Sequence, residues 1–351
     1  MLRMRIEKAP LDDAANRVIL DEYNRLTGAR IPLNEFKHWV ADNPVGKAWH
    51  ALLETESGRI VGHTSVFPLR ASFADTGVVP AKSEYSFLHE DFRKEKVEGF
   101  EKGGKSAFIV ILDELFKHCI RQGWGPIFAS TNERNQVFTR KVGLRPLEFG
   151  LWECMFLLKP SQTLRAVSNV TSKQRIGMFC ASVAQKTAWS VASPLLHRGD
   201  VVCEGPIGGN GFPVEDSRLA FFQDSESLAW RYLEGQYIRL DIKDMGGGYL
   251  IAKRGSAEKF LRVCQSRLED PRLFFEILRF LIHQAAKNGE LGLRWAVYDW
   301  QPLADQLVKQ MKRFGFLCAR RTRILMVHNA QEKYLNSSLW AVNDSLFSFD
   351  P

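Results

Sequence analysis

The sequence predicts an α/β chain with two similar halves joined by a partly helical connector. Three observations indicate this: the length of 351 residues is about twice that of a usual domain, the composition is that of a globular protein, and one series of strands and helices occurs twice. Hydrophobic residues make up 45% and charged residues 25%, which excludes a disordered chain. The predicted boundaries are 1–159, 160–210 for the connector, and 211–351.

The first half begins the repeated series with a helix end and a β-hairpin. A helix ending near Trp39 precedes an apolar strand at 49–54, a turn at 56–58 and a second strand at 60–67. The next elements are an apolar-periodic helix, a short strand and a helix that ends at a glycine: 106–122, 126–130 and 132–142. A final hairpin strand is expected to close this half.

The second half repeats the same order of elements. Its helix, two strands, long helix, short strand and closing helix are predicted at 226–232, 237–242, 249–254, 271–287, 293–298 and 302–314. The closing helix again ends at a glycine, Gly315, before a final strand. Between the halves, 174–196 has helical spacing and 205–211 is a glycine-rich loop.

Targeting and metal-binding patterns are absent from the sequence. The amino terminus lacks an apolar signal segment, and the most apolar stretch, 176–196, is interrupted by Gln185 and Lys186. The six cysteines and eight histidines show no CxxC, HxxxH or HExxH spacing. We therefore expect a cytoplasmic protein with reduced thiols, no membrane segment and no metal site.

The formal net charge of +8 suits an anionic ligand: a phosphate, a cofactor carrying phosphates, or a nucleic acid. The basic run 320–323 is the strongest sequence feature for nucleic acid, but it resembles the exposed face of a hairpin strand. No RNA-recognition or zinc-finger pattern accompanies it. We therefore expect no nucleic-acid partner.

Residues 99–106 match the P-loop pattern GxxxxGK[ST], and three interpretations apply. The preceding residues 91–98 are too charged for the buried strand that a P-loop follows, which argues against a nucleotide triphosphatase. Alternatively, the backbone N–H groups of 103–106 open a helix and bind a phosphate. The third interpretation is a flexible turn with solvated lysines, and the residues alone leave the last two open.

Taken together, the parts of the first half resemble the GNAT acyltransferase superfamily over residues 4–158. Four segments carry the resemblance: Gly58–His63, His89–Arg93, Gly103–Ser106 at the head of a long helix, and Asn132–Leu144. The resemblance implies two GNAT-like domains, each a mixed, mainly antiparallel twisted sheet flanked by helices. It also implies acetyl-CoA or another acyl-CoA, inserted between splayed fourth and fifth strands.

The cofactor-binding residues that follow from this resemblance are Phe87, Leu88, Lys102, Gly103, Gly104, Lys105, Ser106, Asn132 and Lys141. Backbone N–H groups near Phe87 or Leu88 would stabilise the oxyanion. Asn132 has an alternative role as a helix cap. The sequence departs from the family pattern at Glu101, where a Gln or Arg is usual, and at Thr139, where a tyrosine is frequent.

An amine acceptor arrives protonated, so direct attack on a thioester in a ternary complex requires a base. Glu84 is the first candidate, with Tyr85 and Glu133 as the other catalytic candidates. Alternation along a strand predicts that Glu84 and Tyr85 face opposite sides of the sheet. The expected acceptor is a small-molecule amine.

The second half resembles the same fold without the phosphate loop. Leu268–Pro271 replaces the glycines, and an acidic, proline-containing helix start repels phosphate. We therefore expect this half to shape the acceptor site without binding coenzyme A. Two alternative functions are a non-catalytic GNAT-like scaffold and a FemAB-like aminoacyltransferase. The sequence contains no signal for the acceptor's identity, the acyl length or the oligomeric state.

Overall fold

A computed structural model describes residues 1–73, 76–100, 104–130, 133–159, 202–207, 218–222, 224–242, 248–254, 259–268, 274–301, 303–328, 330, 332–343 and 346. The first half contains β1 (Arg3–Lys8), α1 (Asp13–Thr27), α2 (Leu33–Ala41), β2 (Trp49–Glu54), β3 (Ile60–Pro68), β4 (Ala71–Phe73), β5 (Thr76–Val78), β6 (Ala81–Leu88), α3 (Ala107–Arg121), β7 (Ile127–Ala129), α4 (Glu133–Lys141) and β8 (Leu144–Leu157).

The rest of the described chain contains β9 (Val202–Gly205), β10 (Leu219–Phe221), α5 (Ser225–Arg231), β11 (Tyr237–Ile242), β12 (Gly248–Lys253), β13 (Phe260–Leu268), α6 (Phe274–Lys287), β14 (Gly292–Tyr298), α7 (Ala304–Arg313), β15 (Leu317–His328) and β16 (Trp340–Ala341). Single 3₁₀ turns lie at Glu90–Phe92, Glu332–Tyr334 and Ser337–Leu339. No helix within these ranges is long and apolar enough to cross a membrane.

Twelve strands form one mixed sheet in the order β1-β2-β3-β6-β7-β15-β8-β14-β13-β12-β11-β9. Its pairs are antiparallel except β6–β7 and β13–β14, which are parallel. A second sheet has the order β16-β10-β4-β5. The predicted fold class, an α/β chain with a mixed, mainly antiparallel sheet flanked by helices, is confirmed.

The last strand of each half pairs with the other half, which differs from the expected closing hairpins. β15 lies between β7 and β8 and pairs with β8 along its whole length, from Leu317↔Met155 to His328↔Leu144. β8 in turn pairs with β14. The expected hairpin within each half is therefore wrong. The predicted domain boundaries stay a prediction, but the sheet is continuous across them.

Helices cover the sheet on both faces, as the alternation along β8 shows. Leu144 packs with α3 residues and Phe156 with residues of α6 and α7, on one face. Phe149, on the other face, belongs to the largest core cluster, which includes buried residues of α1, α2 and α5. The small sheet joins this second face through Phe221 and Trp340.

Both ends of α1 are set by local sequence. Asp12 caps α1, since its carboxylate accepts a hydrogen bond from the Ala15 N–H at 2.7 Å. The helix ends at Gly28, whose φ of 74° is the left-handed conformation that glycine adopts without strain. The carboxyl-terminal half of α1 lies beside β6, and Tyr23 and Thr27 of this half line a cavity together with residues of β6.

Candidate active site at the cleft between β6 and β7

Strands β6 and β7 separate after a short parallel pairing. They pair only at Ala81↔Ile127 and Lys82↔Phe128. Beyond these pairs lies a cavity of about 220 Å³. It is lined by α1 from one face of the sheet, by α3 and α4 from the other, and by the two strands: Tyr23, Thr27, Ser83, Glu84, Tyr85, Ser86, Phe108, Leu112, Phe116, Ala129, Ser130 and Thr139. The cavity therefore reaches both faces of the sheet.

A β-bulge forms the β6 wall of this cavity. Tyr85 and Ser86 lie opposite Thr64 alone, because the register with β3 shifts by one residue there. Tyr85 has a φ of 54°, in the left-handed region. The inserted residue interrupts the alternation of side chains, so Glu84 and Tyr85 line the same cavity. The expectation that alternation along the strand would keep these two side chains out of a common cleft is therefore wrong.

The acidic and phenolic side chains of the cavity influence one another. Glu84 Oε2 lies 2.7 Å from the Nζ of Lys82, whose side chain is fully buried. Burial, together with the charge of Glu84, raises the pKa of both Tyr23 and Tyr85. Both hydroxyls are therefore protonated at neutral pH and can donate a hydrogen bond. The Tyr85 ring packs edge-on against Tyr23, with ring centroids 5.3 Å apart.

The amino terminus of α3 adjoins the cleft. Ser106 is the N-cap in extended conformation, and the Val110 N–H is the donor that reaches its carbonyl, at 3.1 Å. The N–H groups of the preceding first-turn residues have no partner within the helix, and the helix dipole is positive there. Phe108 of this turn lines the cavity. Gly104, just before it, has a φ of 63°. An anion would therefore be favoured next to the cleft.

The predicted Lys105 is directed away from this helix terminus. Lys105 Nζ lies 2.5 Å from the Asp113 carboxylate, which also accepts from Lys117 at 3.2 Å. Although burial favours the neutral acid, these two hydrogen bonds lower the pKa of Asp113. Lys105 thus lies along α3. Lys141 is exposed in the last turn of α4.

Other predicted residues lie apart from the cavity or outside the described part of the chain. Phe87 and Leu88 follow the bulge, and the Phe87 ring packs on His63 with centroids 5.9 Å apart. Lys102, Gly103 and Asn132 lie outside the described residues. Glu133 begins α4, but its side chain is not among those described.

Sequence reasoning missed the α1 side of the cavity. Tyr23 and Thr27 are four residues apart, a spacing that places both on one helix face. That spacing was a usable signal, but it does not indicate which strand the face meets. Ser83, Ser86 and Ser130 carry no distinguishing pattern, since small polar residues are common in strands and loops.

A second cavity, of about 450 Å³, lies at the seam where β8 meets β14 and β15. The basic run 320–323 borders it, and each of its arginines has an acidic partner. Arg320 bonds Asp299, while Arg321 and Arg323 lie 3.6 and 3.3 Å from the shared Glu153. The basic run therefore contributes to ion pairs across the seam.

No protein-family model matches the sequence, and no curated protein is similar to it at a significant level.

Solved structures are similar in fold. A conserved protein from Enterococcus faecalis V583, described as a probable N-acyltransferase, has a TM-score of 0.58 at 10% identity, over 92% of this chain and 71% of its own. A putative acetyltransferase from Pyrococcus horikoshii has a TM-score of 0.51 at 11% identity, over 98% and 93%. A GCN5-related N-acetyltransferase from Anabaena variabilis has a TM-score of 0.50 at 10% identity, over 92% and 72%. At this identity the similarity establishes the fold, and the chain therefore has the fold of the GCN5-related N-acetyltransferases.

Proposed function

We propose that this protein transfers a short acyl group, such as acetyl, from acyl-CoA to a small-molecule amine by direct attack in a ternary complex. The observation that carries the proposal is the cleft between β6 and β7, which is open to both faces of the sheet. A donor on the α3 face and an acceptor on the α1 face can meet there. A closed cleft would instead have favoured a non-catalytic scaffold.

The residues present suit coenzyme A. The first turn of α3, preceded by Gly104, supplies backbone N–H donors for the pyrophosphate. Exposed Phe138 lies beside Phe108, with ring centroids 6.4 Å apart, and offers an apolar surface between the phosphates and the cleft. The 220 Å³ cavity is smaller than pockets for drug-sized ligands, so it favours acetyl over a long chain.

Three polar groups of β6 have roles in this reaction. Acyl-CoA supplies an activated thioester. Glu84 accepts the proton of the incoming ammonium on Oε1, since its Oε2 faces Lys82. The Ser86 N–H stabilises the oxyanion. Tyr85 keeps its proton at neutral pH and donates a hydrogen bond to the leaving thiolate. The C–S bond breaks as the tetrahedral intermediate collapses, and the thiolate takes the second proton that the acceptor nitrogen loses on becoming an amide.

We propose that 211–351 is a degenerate second GNAT-like domain that shapes the acceptor side. Its parallel strands β13 and β14 pair at four positions, from Phe260↔Gly292 to Val263↔Trp295, and so stay together for longer than β6 and β7. Trp295 is buried there. On the acceptor face, Trp230 of α5 packs on Trp39 of α2, with centroids 5.1 Å apart. The second half therefore borders the α1 face of the site.

Calorimetry with acetyl-CoA tests the cofactor assignment. Wild type is expected to bind, and Gly104→Asp to bind at least tenfold more weakly, because it places a carboxylate before the positive end of α3. Gly123→Asp is the matched control: this glycine follows the other end of α3, also has a positive φ, 81°, and has open space around its Cα. No binding by wild type would remove the basis of the proposal.

Release of coenzyme A thiol in the presence of a panel of small amines tests the chemistry. Glu84→Gln is expected to lower kcat at least a hundredfold with little change in acetyl-CoA affinity, because Glu84 acts on the acceptor. Its loss should be smaller at high pH, where more of the amine is already neutral. Unchanged kcat in Glu84→Gln would exclude Glu84 as the base.

A further inference from the structure

Two histidines form a buried chain of hydrogen bonds that ends on the bulge of β6. His50 Nδ1 lies 2.9 Å from His63 Nε2, and His63 Nδ1 lies 2.7 Å from the Tyr85 carbonyl oxygen. Both imidazoles are fully buried. The chain therefore links β2 and β3 to the peptide between Tyr85 and Ser86.

The chemistry of these groups determines both tautomers. A carbonyl oxygen only accepts, so His63 carries its proton on Nδ1. Burial lowers the pKa of both histidines, so both are neutral. His63 Nε2 is then unprotonated, and its lone pair accepts a hydrogen bond from the Nδ1–H of His50. His50 is therefore also protonated on Nδ1, and its Nε2 carries no proton.

The unpaired nitrogen at the end of this series of hydrogen bonds indicates that His50 does more than fill space in the core. His50 Nε2 is buried without a hydrogen-bond partner among the described residues. Buried polar atoms are usually paired, and a leucine in this place would avoid the unpaired nitrogen. A histidine here is explained if His63 requires a donor at its Nε2 side.

The backbone of Tyr85 has an unusual conformation. Its φ of 54° is unfavourable for a bulky residue and persists where the surroundings determine it. In a planar trans peptide the C=O and N–H point in opposite directions. Because β3 and β7 flank β6 on opposite edges, a carbonyl directed to His63 on β3 directs the Ser86 N–H toward the cleft.

We propose that His50 and His63 are positioning residues that fix the Tyr85–Ser86 peptide, so that the Ser86 N–H is aligned with the acyl carbonyl before the reaction starts. This inference rests on the proposed acyl transfer. Neither histidine lines the cavity, so the pair acts on the transition state through the peptide. Its loss should therefore lower kcat and leave the affinity for acetyl-CoA unchanged.

Two substitutions of His63, similar in size, test whether its hydrogen-bond donor at Nδ1 positions the peptide. His63→Asn retains an N–H donor close to the position of Nδ1, while His63→Leu has similar size and no donor. His63→Leu is expected to lower kcat at least tenfold with acetyl-CoA affinity within twofold of wild type, and His63→Asn to recover most of that loss. Equal kcat values in the two variants, or unchanged kcat in His63→Leu, would overturn the proposal.

Two further measurements keep the inference separate from the proposed function. Long-range ¹H–¹⁵N spectra of the wild type should show both buried histidines neutral and protonated at Nδ1; a proton on His63 Nε2 would overturn the proposal without any activity assay. His50→Leu should lower kcat as well, and unchanged kcat would contradict the role of His50. If wild type neither binds acetyl-CoA nor transfers acetyl, the proposed function fails, whatever the spectra show.

Discussion

Acidification from pH 7.5 to 5.0 should destabilise the protein through its buried histidines. Burial lowers the pKa of His63 from its ordinary value of 6.5 to about 4. Between these values the unfolded chain binds a proton that the folded chain does not, so the free energy of unfolding falls as pH falls. At pH 7.5, one unit above the ordinary pKa, both states are largely neutral at this site, and the effect is small.

The magnitude follows from the two pKa values. Their difference corresponds to about 3 kcal/mol once the pH is below 4. Between pH 7.5 and 5.0, His63 should contribute a loss of about 2 kcal/mol, because an unfolded histidine is mostly protonated at pH 5.0 while His63 is still neutral. His50, whose pKa burial also lowers, adds to the loss with the same sign.

Urea unfolding at the two pH values, followed by tryptophan fluorescence and circular dichroism, measures this difference. In His63→Asn the loss between pH 7.5 and 5.0 should be smaller than in wild type by about 2 kcal/mol. His283→Asn, which removes an exposed histidine on α6, should leave the wild-type loss unchanged. The same pH dependence in His63→Asn and wild type would refute the reasoning, since it would mean that His63 is protonated equally in the folded and unfolded states.

Three further predictions concern stability and use urea unfolding at pH 7.5. Gly292→Ala should lower the free energy of unfolding by about 3 kcal/mol or more, because its Cβ would lie 2.0 Å from a backbone carbonyl oxygen of β8. Gly289→Ala, in open space with a φ of 74°, should lower it by about 1 kcal/mol. Equal losses in the two variants would contradict the steric argument. Trp230→Ala should cost about 3–5 kcal/mol, since this side chain is 5% exposed, and a loss below 1 kcal/mol would show that the packing of α5 is dispensable. Lys82→Met should cost about 3 kcal/mol by leaving the Glu84 carboxylate without its partner, and adding Glu84→Gln should restore part of it; additive losses would exclude the ion pair.

Local patterns in the sequence were sufficient for most elements. The predicted strand 237–242 coincides with β11, and the predicted helix 106–122 differs from α3 by one residue at each end. These elements depend on apolar periodicity and on terminating residues close by in the chain. The bulge at Tyr85 was not predictable in this way, because an inserted residue is defined by the register against β3, which lies about 20 residues earlier.

The exchange of final strands illustrates the same limit and also matters for the site. Both β8 and β15 follow a helix that ends at a glycine, so each is locally compatible with a hairpin in its own half. What distinguishes the alternatives is pairing between residues more than 150 positions apart, such as Leu317↔Met155. This pairing also supports one wall of the cleft. Strand β7 is three residues long, and on the side away from β6 it pairs with Met326 and Val327 of β15. A wall of the proposed acyl-transfer site therefore depends on a strand from the far end of the chain, which gives the second half a structural role at the site even though we assign it no part in binding coenzyme A.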